Sequence, residues 1–290
     1  MNFYARIFIV LMFGCFTTAT AGAQKKNKKY DWVSLFNGKN FNGWDIKIAG
    51  YPINENYKNT FQVQDGIIKV NYDGYKNFTT EYGHIYYRTP FSYYLLRIEY
   101  RFTGVQTPGG EIWNVRNSGV MIHSQSAASM EIDQSFPVSL EVQYLGGLGK
   151  GSRPTGNLCT PGTTVEYNGK VFMDHIIQSS SKTYDGDQWV TADVIVLGDL
   201  IIHHFINGEK VLTYTKPKVG GGFVSRDYDW KRAHITNAAA WIKKDNTPLT
   251  KGYIALQAES HPIEFRKVEI LNLEKIRGWQ KLDLEKLFKW

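Results

Sequence analysis

The chain has 290 residues, with 34 Lys and Arg against 27 Asp and Glu, a formal net charge of +7, two cysteines and 14% aromatic residues. Arg6 and the cluster Lys25, Lys26, Lys28 and Lys29 hold much of the positive excess. The body is therefore close to neutral, which argues against a nucleic-acid partner.

Arg6 is followed by the apolar run Ile7 to Phe13 and then by small residues ending in Ala21-Gly22-Ala23. This layout predicts a cleavable signal over residues 1–23, with Gln24 as the new N-terminus and residues 24–32 as a solvated basic tail. Acylation at Cys15 is the weaker alternative, because Met12-Phe13-Gly14 lacks the usual Leu and small residue before the cysteine. No later segment reaches the roughly 18 apolar residues of a membrane span. The expected location is the periplasm, the cell surface or the medium. Only Cys159 would remain, so no disulfide is expected to hold the fold.

Strands follow almost throughout, read from period-two alternation and turn chemistry. Phe61 to Gln64, Asp65-Gly66 and Ile67 to Val70 predict a hairpin with type I′ turn residues. In Tyr94 to Phe102 the apolar residues Leu96, Ile98, Tyr100 and Phe102 alternate with Arg97, Glu99 and Arg101, which predicts a sheet with one wet face. Segments 103–117 and 146–188 are rich in Gly, Pro, Ser and Thr and are expected to be long functional loops. Trp189 to Leu197, Leu200 to Ile206 and Lys210 to Tyr214 form a predicted meander, turning at Gly198-Asp199 and Asn207-Gly208. Tyr253 to Ala258 and Ile263 to Leu271 are expected to pair. Helix is expected at Asn237 to Lys244 and in the C-terminal tail 272–290, where Leu282, Leu284, Leu287 and Phe288 give an amphipathic face. The pattern describes an all-β, two-sheet antiparallel jelly-roll sandwich over residues 33–271, with long loops and a short C-terminal helix.

Phosphate-binding loops, dinucleotide fingerprints, CxxC, HExxH and a nucleophile elbow are all missing from the sequence. Instead, polar pairs share faces of otherwise apolar strands: Asn117 with His123, Glu141 with Gln143, and Gln257 with Glu259. They form either a polar cleft suited to sugar or an ordinary solvated face. His175, His203 and His204 are weaker candidates, since a lone strand histidine is more often structural, although its pKa suits proton transfer.

Leu35-Phe36-Asn37-Gly38-Lys39 through Gly43-Trp44, Asn117-Ser118-Gly119-Val120, Glu141-Val142-Gln143, Asn207-Gly208 and Leu256-Gln257 with Phe265-Arg266 occur in this order. Together they resemble the signature of the 3-keto-disaccharide hydrolase family. So do the longer strings Arg153 to Thr163 and Ser181 to Val190. The resemblance implies a concanavalin A-like jelly roll and an exported enzyme acting on glycosides oxidised at C3. A base takes the C2 proton, the enolate expels the aglycone, and water adds back. It implies Glu141 or His123 as base, and Gln143, Arg153 or a divalent cation at the C3 oxygen. His204 or Glu259 would serve as acid or ligand, and Asn117, His175 and Gln257 would bind substrate. No cofactor is required, and a divalent cation is compatible with the candidate cleft. Three positions depart from the pattern: His123 stands where many members have Arg, Glu259 where many have His, and Gly146 where many have Asp. The exchange of Arg and His for His and Glu would keep a cation and a proton-transfer group opposed. The alternative function is a carbohydrate-binding sandwich without turnover. Oligomeric state is not legible.

Overall fold

A computed structural model of the chain describes residues 30–220 and 234–288. The expected signal, most of the basic tail and Cys15 lie outside the described residues. Trp32 onward forms one unit.

Among the described residues there are seventeen strands. In chain order they are β1 (Val33–Ser34), β2 (Trp44–Ile48), β3 (Phe61–Gln64), β4 (Ile67–Val70), β5 (Gly83–Phe91) and β6 (Tyr93–Phe102). Then come β7 (Asn117–Ser124), β8 (Leu140–Leu145), β9 (Asn157–Cys159), β10 (Thr163–Tyr167), β11 (Lys170–Phe172) and β12 (Ile176–Ile177). The last five are β13 (Val190–Leu197), β14 (Ile201–Ile206), β15 (Glu209–Val219), β16 (Gly252–Ala258) and β17 (Ile263–Asn272). All pairings are antiparallel. One sheet runs β11-β10-β15-β14-β13-β6-β17-β4-β3, with β1 also on β17, and the other runs β12-β9-β8-β7-β16-β5-β2. This is the expected jelly roll.

Alternation divides each strand between core and outer face. Leu140, Val142 and Tyr144 on β8 and Leu96, Ile98 and Tyr100 on β6 meet in one core, where Tyr100 stacks on Tyr144 at 4.1 Å. The Asp65-Gly66 and Asn207-Gly208 hairpins form as read, with Asp65 and Asn207 both at positive φ.

Four expectations need correction. β16 and β17 do not pair; the chain crosses between sheets, so β16 lies between β7 and β5 while β17 lies beside β6. Segment 146–188 is not all loop, because its β9 to β12 extend both sheets. The C-terminal tail forms 3₁₀ turns rather than a regular helix, although α1 (Ala238–Ile242) does form within Asn237 to Lys244.

The outward face of β6 is also not wet. Its Arg97 is 4% exposed and pairs with Asp193, opposite it on β13, through Nε–Oδ1 at 2.6 Å and Nη2–Oδ2 at 2.9 Å. Arg97 Nη2 also donates to the Phe288 carbonyl at 2.8 Å, and the Phe288 ring packs on Phe205 and Trp32. The tail thus caps a charge that alternation alone would send to solvent. Glu99 is bound by Arg266 and Lys267, each at 2.6 Å.

Removing one partner of a buried ion pair strands the other, whereas replacing both is far milder. Arg97→Met should cost about 3–5 kcal/mol in urea unfolding, and adding Asp193→Leu should recover most of the loss.

Candidate active-site cleft

Side chains facing away from the core on the seven-stranded sheet form a polar floor. Lys47 on β2 stands opposite His84 on β5, and His84 opposite Gln257 on β16. Gly119 on β7 stands opposite Gln143 on β8, and Gln143 opposite Asn157 on β9. Gln257 directly follows Leu256, which pairs with Val120, so it stands beside Gly119 and closes the row. The neighbouring rows carry Glu141 with Cys159 and Asn117 with Glu259. Loops wall this floor into a cleft of about 980 Å³.

Glu141, Asn117, Gln143, Arg153, His175 and Glu259 all line the cleft. His175 sits exposed at its rim. Gln257 is in the floor but fully buried and does not line the open space.

His123 is not brought to the cleft. Opposite β16 the register slips between Tyr253 and Ala255, so Ile122 and His123 together face one residue, and His123 takes φ 48°. Such a bulge breaks alternation and re-aims the side chain. The His123 Nε2–H donates at 2.9 Å to the Gly198 carbonyl in the turn between β13 and β14. Burial lowers its pKa to about 4, which keeps the ring neutral. The expected opposition of His123 and Glu259 therefore does not form.

His204 lies on the other sheet, fully buried. Its Nδ1–H donates to the Gly156 carbonyl at 2.9 Å, and its Nε2 accepts from the Tyr214 hydroxyl at 3.0 Å. With both nitrogens used, and its pKa lowered to about 4 by burial, it is a structural pin. His203 donates or accepts at Thr213 Oγ1, 2.8 Å away, again on that sheet.

The two carboxylates that remain are unusual. Glu141 is 6% and Glu259 4% exposed, and burial raises both pKa values, Glu141 to about 8. The charge of Glu141 raises Glu259 further, while Arg153 acts in the opposite direction. The pair is thus held toward its protonated forms by exclusion of water, and each charge opposes the other. Glu259 Oε2 and Asn117 Oδ1 are buried without a hydrogen-bond partner among the described residues. So are both ring nitrogens of His84 and both amide atoms of Gln257.

Arg153 is fixed rather than free to swing. Its Nη1 donates to the Gly146 carbonyl at 2.6 Å, and its Nη2 to Val115 at 2.7 Å. A Cβ at Gly146 would lie 2.6 Å from Arg116 Nε, so the missing Asp would have no room; Arg116 takes its carboxylate from Asp187 at 2.9 Å.

Three contributors escaped the sequence reading. Asn157 takes the Ser179 N–H on its Oδ1 at 2.9 Å and gives its Nδ2–H to Gln143 Oε1 at 3.0 Å. That relay fixes the Gln143 amide and leaves its Nε2–H groups for the cleft. Cys159 stands opposite Glu141 on β9, and its thiol works against the rise of the Glu141 pKa. Gly119 makes room for that carboxylate, since a Cβ there would lie 2.6 Å from Glu141 Oε1. A glycine inside a strand was the available signal for this close approach. Among the described residues, no three His, Cys, Asp or Glu side chains are grouped to hold a metal ion.

Glu141 predicts a pH effect. Stability from a carboxyl group whose folded pKa is raised is complete below its ordinary value of 4.5, and is lost as pH rises to about 8. Glu141→Gln should therefore raise Tm, with a gain that grows from pH 5 to pH 8, at roughly 2–4 °C per kcal/mol relieved. Gly119→Ala should cost about 1–3 kcal/mol in chemical denaturation by overpacking against Glu141.

Residues 31–271 match the profile described as the 3-keto-alpha-glucoside-1,2-lyase-like domain. The chain is similar to a crystal structure of a proposed glycosyl hydrolase from Parabacteroides distasonis, at 19% identity and TM-score 0.51, covering 86% of this chain and 97% of that one. A second such protein from the same organism has 17% identity and TM-score 0.46, over 84% and 100% of the two chains. A Bacillus licheniformis beta-glucanase has 12% identity and TM-score 0.41, over 83% and 96%. No curated protein sequence matches.

Proposed function

The chain belongs to the 3-keto-alpha-glucoside-1,2-lyase-like domain family, and from that membership and the chemistry of the cleft we propose an exported enzyme that cleaves 3-keto-glycosides by elimination and hydration. The observation that carries this reading is the Glu141–Glu259 pair, two buried carboxyl groups that line one cleft, both with raised pKa values, as a base and an acid working together require.

A ketone at C3 acidifies the C2 proton. Ionised Glu141 takes that proton, and the electron pair of the C2–H bond becomes the enolate of the C3 ketone. Gln143 Nε2–H, oriented by Asn157, and the positive charge of Arg153 stabilise the oxygen at C3. The enolate then forms the C1–C2 double bond as the C1–O bond breaks, and protonated Glu259 gives its proton to the departing oxygen. Water adds across the double bond, hydroxyl to C1 and hydrogen to C2. The sum is one water consumed, with a 3-keto-sugar and a free aglycone released. The route needs no carboxylate attack at C1.

Residues 1–23 support export, and N-terminal sequencing of the secreted product should begin at Gln24. Gly146, which replaces an Asp of the family pattern, favours one other reading, a sandwich that binds carbohydrate without turnover.

The purified protein should release aglycone from a 3-keto-glucoside and not from the parent glucoside. Its rate should rise as pH increases through about 8, as Glu141 ionises, and Glu141→Gln should lower kcat by about 10²–10⁴-fold. A chelator arm reads whether a divalent cation takes part. Binding without product would identify the binding protein instead.

A further inference from the structure

Single exposed apolar residues are ordinary on protein surfaces, but several that line one cleft call for a cause. Ile112 (85% exposed), Trp113 (55%), Leu148 (49%) and Ile176 (46%) all line the same cleft. They come from three separate segments: the loop before β7, the turn after β8, and β12 at the sheet edge.

The segments are held in place. In the first loop, Thr107 N–H donates to the Ser260 carbonyl at 3.0 Å, and Phe78 N–H to Pro108 at 2.7 Å. Asn114 Nδ2–H, next to Trp113, donates to the Tyr82 hydroxyl at 3.1 Å, and Gln106 Nε2–H spans to the Glu111 carbonyl at 2.8 Å. Gly109 adopts φ 85°, and a Cβ there would lie 2.3 Å from the Phe78 carbonyl oxygen, so the loop closes onto the sheet only with glycine. Leu148 is bracketed by Gly147 N–H on the Tyr184 carbonyl at 2.7 Å and Gly149 N–H on Asp185 Oδ1 at 2.8 Å. A fixed apolar collar loses little entropy when it meets a ligand.

Resting on the glycoside-cleaving reading, we propose that this collar is the aglycone subsite and that it takes an aromatic aglycone rather than a second sugar. The polar floor meets the hydroxyls of one sugar ring. A cleft of about 980 Å³ is at the upper end of small-molecule sites and leaves room beyond it. Trp113 alone would accept either partner, since a sugar face and an aromatic ring both pack on an indole. Ile112, Leu148 and Ile176 tip the balance: although Glu111, His175 and Gln178 also line the cleft, these three side chains give hydroxyls no partner, and desolvating hydroxyls without partners is costly. A flat arene presents no such groups and gains from ring contact with Trp113.

The test compares a phenyl 3-keto-glucoside with a 3-keto-disaccharide of the same C1 linkage. The wild type should show a KM at least about ten-fold lower for the phenyl compound. Trp113→Ala and, separately, Leu148→Ser should each cut the phenyl-to-disaccharide ratio of kcat/KM at least about ten-fold; leaving-group chemistry cancels in that comparison. Val105→Ser, at an 82% exposed site that does not line the cleft, should leave the ratio unchanged. Equal KM values, or a ratio unmoved by both collar variants, would overturn the proposal. Should neither compound be cleaved, the hydrolytic reading fails and calorimetry with both decides the collar. Tighter phenyl binding that Trp113→Ala abolishes would support it, and equal affinities would refute it.

Discussion

Two carboxyl groups are buried on one face of a sheet whose other face is the hydrophobic core, and much of the architecture answers that constraint. Desolvation disfavours their charged forms, which raises Glu141 and Glu259 together. Such groups keep their positions only if the backbone beneath them cannot yield. Leu140, Val142 and Tyr144 supply that rigidity from behind β8, all of them fully buried. Gly119 leaves the volume that the Glu141 side chain occupies. The ten-stranded sheet lends support at a distance, its outward charges neutralised by Asp193, Arg266, Lys267 and the C-terminal tail.

Around the carboxyl groups lies a row of polar atoms without partners among the described residues, on His84, Gln257, Asn117 and Glu259. Buried polar groups are normally satisfied, and each exception has a cost that stability elsewhere must offset. Here the exceptions are contiguous. They lie on neighbouring strands, and the His84 ring meets Phe136 edge-on at 6.3 Å. The Ser179–Asn157–Gln143 relay shows the opposite treatment one strand away, where each amide has a fixed orientation. The floor thus combines amides held by the protein with polar groups left for other partners.

Alternation made most of the floor legible, because Glu141 with Gln143 and Gln257 with Glu259 keep the period of two that their strands impose. It misplaced His123, because a bulge shifts the phase by one residue and nothing in Val120-Met121-Ile122-His123 announces it. It misread Arg97 and Glu99 for a different reason: their partners Asp193, Phe288, Arg266 and Lys267 are distant in sequence or on a neighbouring strand. β5 went unread, since Gly83 to Phe91 is flanked by turns without a hairpin signal and its pairing with β2 and β16 is long-range. The same limit applied to β16 and β17, where a short connection looked like a hairpin but links two sheets.

The raised pKa values bear directly on the proposed chemistry. A proton beside a ketone is far less acidic than an ordinary carboxylic acid, so a carboxylate of pKa near 4.5 is a poor base for it. Raising Glu141 to about 8 narrows that gap while leaving a useful ionised fraction near neutral pH, which is the compromise that general-base catalysis favours. Burial raises Glu259 as well, and the Glu141 charge adds to that shift, which suits it to the acid's part in the proposed chemistry. Exclusion of water from a shared floor raises the pKa values of both side chains, and their mutual repulsion means that the pair gives up its first proton more readily than its second. Arg153, pinned by carbonyls at Gly146 and Val115, keeps positive charge near the pair without neutralising it as a direct salt bridge would.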